Sequence, residues 1–160
     1  MQVITAPENL NKASGFKVFL AGSIEQDTAD RWQDKIIKEL EDIDVCLLNP
    51  RRAQWDASWK QEKTNPYFSE QVKWELRGQE MADVVVIYFD PNTKAPISLL
   101  ELGLFKGKAL VCCPEGFWRK GNVDIVCEKY KVPMVNSLDD LVSAIKWEVT
   151  RWEHYHSASD

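Results

Sequence analysis

Glu101 stands among leucines: Leu99, Leu100, Leu102 and Leu104 leave its carboxyl few polar neighbours along the chain. A carboxylate in an apolar setting must be paired or poised for chemistry, because burial raises the cost of its charge. It lies near the start of a segment that reads as a helix, where the helix dipole favours an anion. The spacing leaves two readings open. As a nucleophile, Glu101 attacks an electrophilic carbon. As half of a capping box, Ser98-Leu-Leu-Glu101, it holds only the first backbone N–H groups. Glu75 is the second acidic candidate. It follows Val72 by three residues, so it lies on the apolar side of its helix, or at the stripe edge as a surface charge. Two carboxyls in one cleft can divide the roles of nucleophile and proton donor at a glycosidic carbon.

Three further groups carry side chains suited to a small ligand. Ala21-Gly22-Ser23 joins a residue that permits close backbone approach to one with a hydroxyl, and can hold a sugar or phosphate. An ordinary strand-to-helix turn uses the same residues. The segment is far from a full GxGxxG, and no GK[ST] is present, which argues against a Rossmann cofactor or a P-loop. Asn49-Pro50-Arg51-Arg52 with Trp55 and Trp59 offers cations and stacking faces for an aromatic base. A solvated basic loop has the same composition. Phe117, Trp118 and Asn122 form an aromatic and amide cluster that also suits surface packing.

Other chemistries lack their residues. The four cysteines, at 46, 112, 113 and 127, form no CxxC and no Cys/His metal spacing, and read as reduced thiols of a cytosolic protein. His154 and His156 lie in the polar tail, which leaves no His-based triad and no HExxH site.

Short β-like runs alternate with longer helical ones. Lys17 to Ala21 reads as a first strand, ended by Gly22-Ser23. Asp27 or Thr28 can cap a helix with apolar face Trp32, Ile36, Ile37 and Leu40. Asp44 to Leu48 reads as a second strand, and Arg51 to Thr64 as a long polar loop with at most one short helical turn. Asn65-Pro66 marks a helix start, followed by the stripe Phe68, Val72 and Leu76. Asp83 to Phe89, continuously apolar at Val84 to Ile87, suits a central parallel strand covered on both faces. Ser98 to Lys106 is predicted helical, with Gly107 at its end. Ala109 to Cys113 is a fourth strand, Asn122 to Tyr130 a helix, and Val132 to Val135 a fifth strand. Ser137 caps a last helix through Leu138, Leu141, Ile145 and Val149. The alternation predicts one α/β domain, a doubly wound sheet of five parallel strands in order 2-1-3-4-5 with helices on both faces. Residues 1–15 and 153–160 are expected to be flexible ends. Ligands should bind beyond the carboxyl ends of the strands, where Ala21 to Glu25, Asp90 to Leu100 and Pro114 to Asn122 meet.

The chain has 160 residues, 44% hydrophobic and 28% charged, with formal net charge -5, which is one ordinary globular domain. The acidic balance disfavours a nucleic-acid polymer, whose affinity comes largely from Lys and Arg on phosphates. No run of 18 apolar residues suggests a membrane span, and Met1 to Phe16 shows no apolar segment of a secretory signal. A cytoplasmic protein with a small neutral or nucleobase ligand is the expectation.

Together these residues resemble the nucleoside 2-deoxyribosyltransferase family. The matching pieces are Phe19-Leu-Ala-Gly-Ser23, Trp74-Glu75, Ala82-Asp-Val-Val-Val-Ile87 and Leu99-Leu-Glu-Leu-Gly103. Asn49-Pro-Arg-Arg52 and Cys113-Pro-Glu-Gly-Phe-Trp118 look like one branch of it. The resemblance runs from about Lys17 to Val149. It implies a flavodoxin-like fold and a double displacement without metal or redox cofactor. Glu101 matches the nucleophile, which would leave a deoxyribosyl ester on the enzyme, and Glu75 matches the acid near the base. Asn122 resembles an amide that a neighbouring subunit lends to the sugar site, which implies a homo-oligomer.

Two departures bear on the substrate. Many members have Tyr where this chain has Phe19, and its hydroxyl orients the nucleophile; Tyr88 is the candidate replacement. An acidic residue, or a Ser in nucleotide-hydrolase relatives, commonly stands six positions before the nucleophile, where this chain has Ala95; Ser98 can replace one hydroxyl contact. Gly22-Ser23-Ile24 resembles the nucleoside-monophosphate hydrolase branch. Glu25 and Asp27 would repel a 5′-phosphate, and Arg51 or Arg52 would offset that if their loop folds inward. Three functions follow: base exchange on a deoxynucleoside, hydrolysis of nucleosides or nucleoside 5′-monophosphates, and nucleotide sensing without catalysis.

Overall fold

A computed structural model describes residues 1–25, 29–53 and 55–158. The strands are β1 (Gln2–Thr5), β2 (Lys17–Gly22), β3 (Cys46–Asn49), β4 (Val84–Tyr88), β5 (Ala109–Cys112) and β6 (Met134–Val135). The helices are α1 (Trp32–Glu39), α2 (Pro66–Met81), α3 (Pro96–Phe105), α4 (Lys120–Tyr130) and α5 (Leu138–Ser157). All six strands run parallel in one sheet of order β1-β3-β2-β4-β5-β6. This is a flavodoxin-like α/β sheet, with the predicted order intact and one strand added at the edge.

The two faces of the sheet separate by residue parity. Phe19, Ala21, Val85, Ile87 and Phe89 share a core with Trp74 of α2, Leu102 of α3 and Val123 and Cys127 of α4. Val18, Leu20, Val86 and Tyr88 pack with Trp32 and Ile36 of α1, with Leu40 just past its end, and with Leu141, Ile145 and Val149 of α5. Burial on both faces is why the central strands are apolar throughout. Register places Phe19 beside Val85 and Gly22 beside Tyr88. A Cβ at Gly22 would lie 2.5 Å from the Tyr88 carbonyl oxygen, and its φ of 138° suits glycine, so this residue serves the tight β2–β4 junction.

Several expectations are corrected. The segment before Gly15 is no loose end: Gln2 to Thr5 pair with Cys46 to Asn49, and Ile4, Ala6 and Leu10 are buried. A four-residue strand is too short to show a period, and its partner lies far along the chain. The last helix continues to Ser157, held by Trp152 against Phe16 at 5.8 Å. α3 starts at Pro96, two residues before Ser98, and α4 starts at Lys120 rather than Asn122. Asp27 and Thr28, the expected caps of α1, lie outside the described residues. Other caps form as predicted. Asn65 Oδ1 accepts from the N–H groups of Tyr67 and Phe68 at 3.1 and 3.2 Å, and Ser137 Oγ from Asp140 N–H at 3.1 Å. Among the described residues no helix is long and apolar enough to cross a membrane.

Candidate active site

A cleft of about 650 Å³ opens beyond the carboxyl end of β2, walled by α2, α3 and the segment after β3. That volume suits a nucleoside-sized ligand. Glu101 lines it from α3 and Glu75 from α2. Phe19 contributes to the floor, and Gly78 lets α2 lie close to it: a Cβ there would come within 2.7 Å of the Phe19 ring.

The capping-box reading of Glu101 does not hold. With Pro96 as the first helical residue, Ser98 is third and Glu101 falls in the second turn, beyond reach of the orphan N–H groups. Ala95, the N-cap, has no side chain able to cap and adopts φ 47°. Its N–H instead donates to Glu25 Oε1 at 2.7 Å. The loop after β2 therefore meets the backbone at the start of α3 through this carboxyl.

Glu75 sits in a polar chain along one face of α2. Arg52 Nε donates to Gln71 Oε1 at 2.6 Å, and Gln71 Nε2 donates to Glu75 Oε1 at 2.8 Å and to the Pro50 carbonyl at 2.9 Å. Gln79, one turn beyond Glu75, donates through Nε2 to the Glu75 carbonyl at 3.3 Å, while its buried Oε1 has no partner. Gln71, Glu75 and Gln79 recur every four residues and so share a face. That spacing was the available signal for the two glutamines, which sequence reasoning passed over.

Both acids are weakened. Burial pushes Glu75 up to about 6, against the lowering effects of the Gln71 hydrogen bond and the Arg52 charge. Burial pushes Glu101 up to about 8; the negative charge of Glu75 adds to the rise, and a hydrogen bond with Gln79 opposes it. Glu101 is only 8% exposed, yet it faces the cleft. Near neutral pH the pair therefore holds one proton between two carboxyls.

The remaining candidates divide. Ala21, Gly22, Ser23, Arg51, Arg52, Trp55 and Ser98 all line the cleft. Trp55 meets Trp59 edge-on at 5.0 Å, Trp59 stacks on Tyr67 at 5.3 Å, and Arg52 lies 5.4 Å above the Trp59 ring. This gives one end of the cleft an aromatic and cationic character. Arg51 donates to the carbonyls of Ala29 and Asp30 and to Gln33, bracing the backbone after β2. Ser23 is less available than its type suggests. Its N–H donates to the Tyr88 carbonyl at 2.9 Å, and its hydroxyl accepts from Thr93 at 2.7 Å and from Asp90 N–H at 3.0 Å.

Tyr88 is not in the cleft. Its ring packs edge-on to Trp32 at 5.2 Å on the opposite face of the sheet, so its hydroxyl cannot replace the one Phe19 lacks. Trp118 also lies outside the lining residues: its Nε1–H donates to the Lys94 carbonyl at 2.9 Å, and its ring meets Lys94 Nζ at 4.4 Å and Arg119 Cζ at 4.3 Å. Asn122 is exposed on α4 and does not line its own chain's cleft. Phe117 is buried against Phe89 at 4.9 Å and serves the core.

Residues 15–117, which carry both acids and the whole cleft lining, match a family described as nucleoside 2-deoxyribosyltransferase like. The chain belongs to this family. The match covers more than half of the chain and ends before Trp118 and Asn122. Among solved structures, the chain is similar to a conserved protein from Enterococcus faecalis V583, at 17% identity over 84% of this chain and 99% of that one, with a TM-score of 0.56. At that identity the likeness is one of fold. A comparison with curated proteins found no match. Family membership supports glycosyl transfer as the broad class of activity and a small nucleoside as the kind of substrate.

Proposed function

We propose that the protein breaks the N-glycosidic bond of a 2′-deoxynucleoside, holds the sugar on Glu101 and transfers it to a second nucleobase. The observation that carries this reading is the placement of Glu101 and Glu75 on different helices around one cleft. Glu101, as a carboxylate, attacks C1′ while the bond from C1′ to the base nitrogen breaks. Glu75, as the acid, gives its proton to the departing nitrogen. The incoming base then attacks C1′ from the vacated side, the ester bond to Glu101 breaks, and the proton of the incoming nitrogen returns to Glu75. Two inversions give net retention.

Glu101 is the weaker acid of the two, so a single proton on the pair rests mainly there. The reaction needs it on Glu75. A base nitrogen accepting a hydrogen bond from Glu75 favours that arrangement, and Gln79 supports the Glu101 carboxylate. Both arrangements contain one proton, so their ratio does not change with pH.

A second reading, hydrolysis, draws on the rim. Ile97, Leu100 and Leu104 line the cleft and are 60%, 59% and 58% exposed, so water has a path to the ester. The proposal also includes a homo-oligomer in which Asn122 of one copy reaches the cleft of another. Incubation of the protein with each common 2′-deoxynucleoside and a different free base should yield the exchanged nucleoside. Glu101→Ala should lose product by on the order of a thousandfold or more while staying folded. Base release without exchange supports hydrolysis; no product from any donor refutes both readings.

A further inference from the structure

Along one face of α2 the order is Gln79, Glu75, Gln71, each a helical turn from the next. Glu101 meets Gln79 at one end of this row. Arg52 Nε donates to Gln71 Oε1 at 2.6 Å at the other. With C1′ at Glu101 and the departing nitrogen at Glu75, the base extends toward Gln71. Its edge farthest from the sugar then meets Arg52, which lines the cleft there with Trp55. This placement rests on the assignment of Glu101 to C1′.

The polar groups at that end are unequally occupied. Gln71 has both halves of its amide engaged. Oε1 accepts from Arg52, while Nε2 donates to Glu75 Oε1 at 2.8 Å and to the Pro50 carbonyl at 2.9 Å. No N–H of that amide remains for a ligand. Arg52 is the opposite case. Its guanidinium has donors only and keeps its charge at any physiological pH. Among the described residues it makes one hydrogen bond, from Nε, and lies 5.4 Å above the Trp59 ring. Its Nη2 is enclosed and has no partner. A buried donor on a cation is costly until an acceptor reaches it.

We propose that Arg52 reads the exocyclic group at the far edge of the base and selects an oxo group over an amino group. The favoured bases are then uracil and thymine, through the 4-oxo group, and hypoxanthine and guanine, through the 6-oxo group. Their carbonyl oxygen accepts from the guanidinium after a small rotation of the fork, which completes the unpartnered donor. Cytosine and adenine carry an amino group there, and its N–H would face a cation that can only donate. The contact strengthens as the glycosidic bond breaks, because the electrons left on the base spread to that oxygen. Trp55 offers the ring face on which either kind of base stacks, so stacking does not discriminate between them.

The test uses substrates that differ at this edge: 2′-deoxyuridine against 2′-deoxycytidine, and 2′-deoxyinosine against 2′-deoxyadenosine. Turnover is compared by kcat/KM, and binding of the corresponding free bases by calorimetry, in the parent, Arg52→Met and Arg52→Lys. The parent should favour the oxo member of each pair by on the order of a hundredfold. Arg52→Met keeps the stem and removes the donors, and should shrink both ratios by about tenfold or more, mainly by weakening the oxo substrates. Arg52→Lys should retain part of the preference. A role confined to orienting Gln71 and Glu75 would slow every substrate alike and leave the ratios unchanged, which overturns the proposal. So does a parent indifferent to the exchange of oxo for amino, a result that needs no variant to fold. Oxo-selective binding of free bases that depends on Arg52, without Glu101-dependent turnover, keeps this inference and removes the catalytic assignment. Failure of every base and nucleoside to bind removes both.

Discussion

Gln71 Nε2 donates to Glu75 Oε1 at 2.8 Å, one turn apart on α2. Burial raises the Glu75 pKa, and the bond favours the ionised form and opposes that rise, leaving the group at about 6. Glu101 lies higher, at about 8. Activity that needs one proton on the pair should follow a bell-shaped curve with limbs near these two values. Gln71→Ala removes the donor to the charged form, so the acid limb should move to higher pH. A pH profile of kcat/KM for parent and variant checks the direction.

Glu101 should also leave a signature on stability. Its folded pKa, about 8, is above that of an exposed glutamate. Between those values the folded state binds more protons than the unfolded one, so this residue's contribution falls as pH rises through about 8. Glu101→Gln removes the penalty of a buried charge. The variant should therefore be more stable than the parent at pH 9, by on the order of a few kcal/mol, with the gap closing toward pH 4. Urea unfolding at the two pH values measures it. A site kept at some expense of stability is common where the group has chemistry to perform.

The edge strand makes a separate prediction. Ile4 is buried and β1 pairs with β3 over four residues, Gln2 to Thr5. Ile4→Ala should destabilise the fold by about 2–4 kcal/mol. Loss of that size in thermal or urea unfolding distinguishes a structural strand from a loose end, where the change would be negligible.

Much of this was legible in the residues. Val84 to Ile87 is apolar at every position, which only a strand covered on both faces requires, and β4 is such a strand. Asn65-Pro66 states the start of α2 by a capping side chain and a fixed φ. The leucines around Glu101 and the stripe beside Glu75 marked both carboxyls, because helical spacing converts directly into a shared face. Tyr88 shows the limit. Its side of the sheet follows from its register with Gly22, and register depends on a partner strand that local pattern does not reveal.

Determined along the chain were the order of the elements from β2 onward, the apolar setting of Glu101 and the position of Glu75 on its helix. Tertiary structure alone decided that the two acids share one cleft, that Tyr88 turns away, and that Glu25 meets Ala95 across 70 residues. The physical reason is range. Propensity, caps and periodicity act over a few residues, whereas burial, charge coupling and the hydrogen bonds of a site depend on segments brought together only when the sheet closes against its helices.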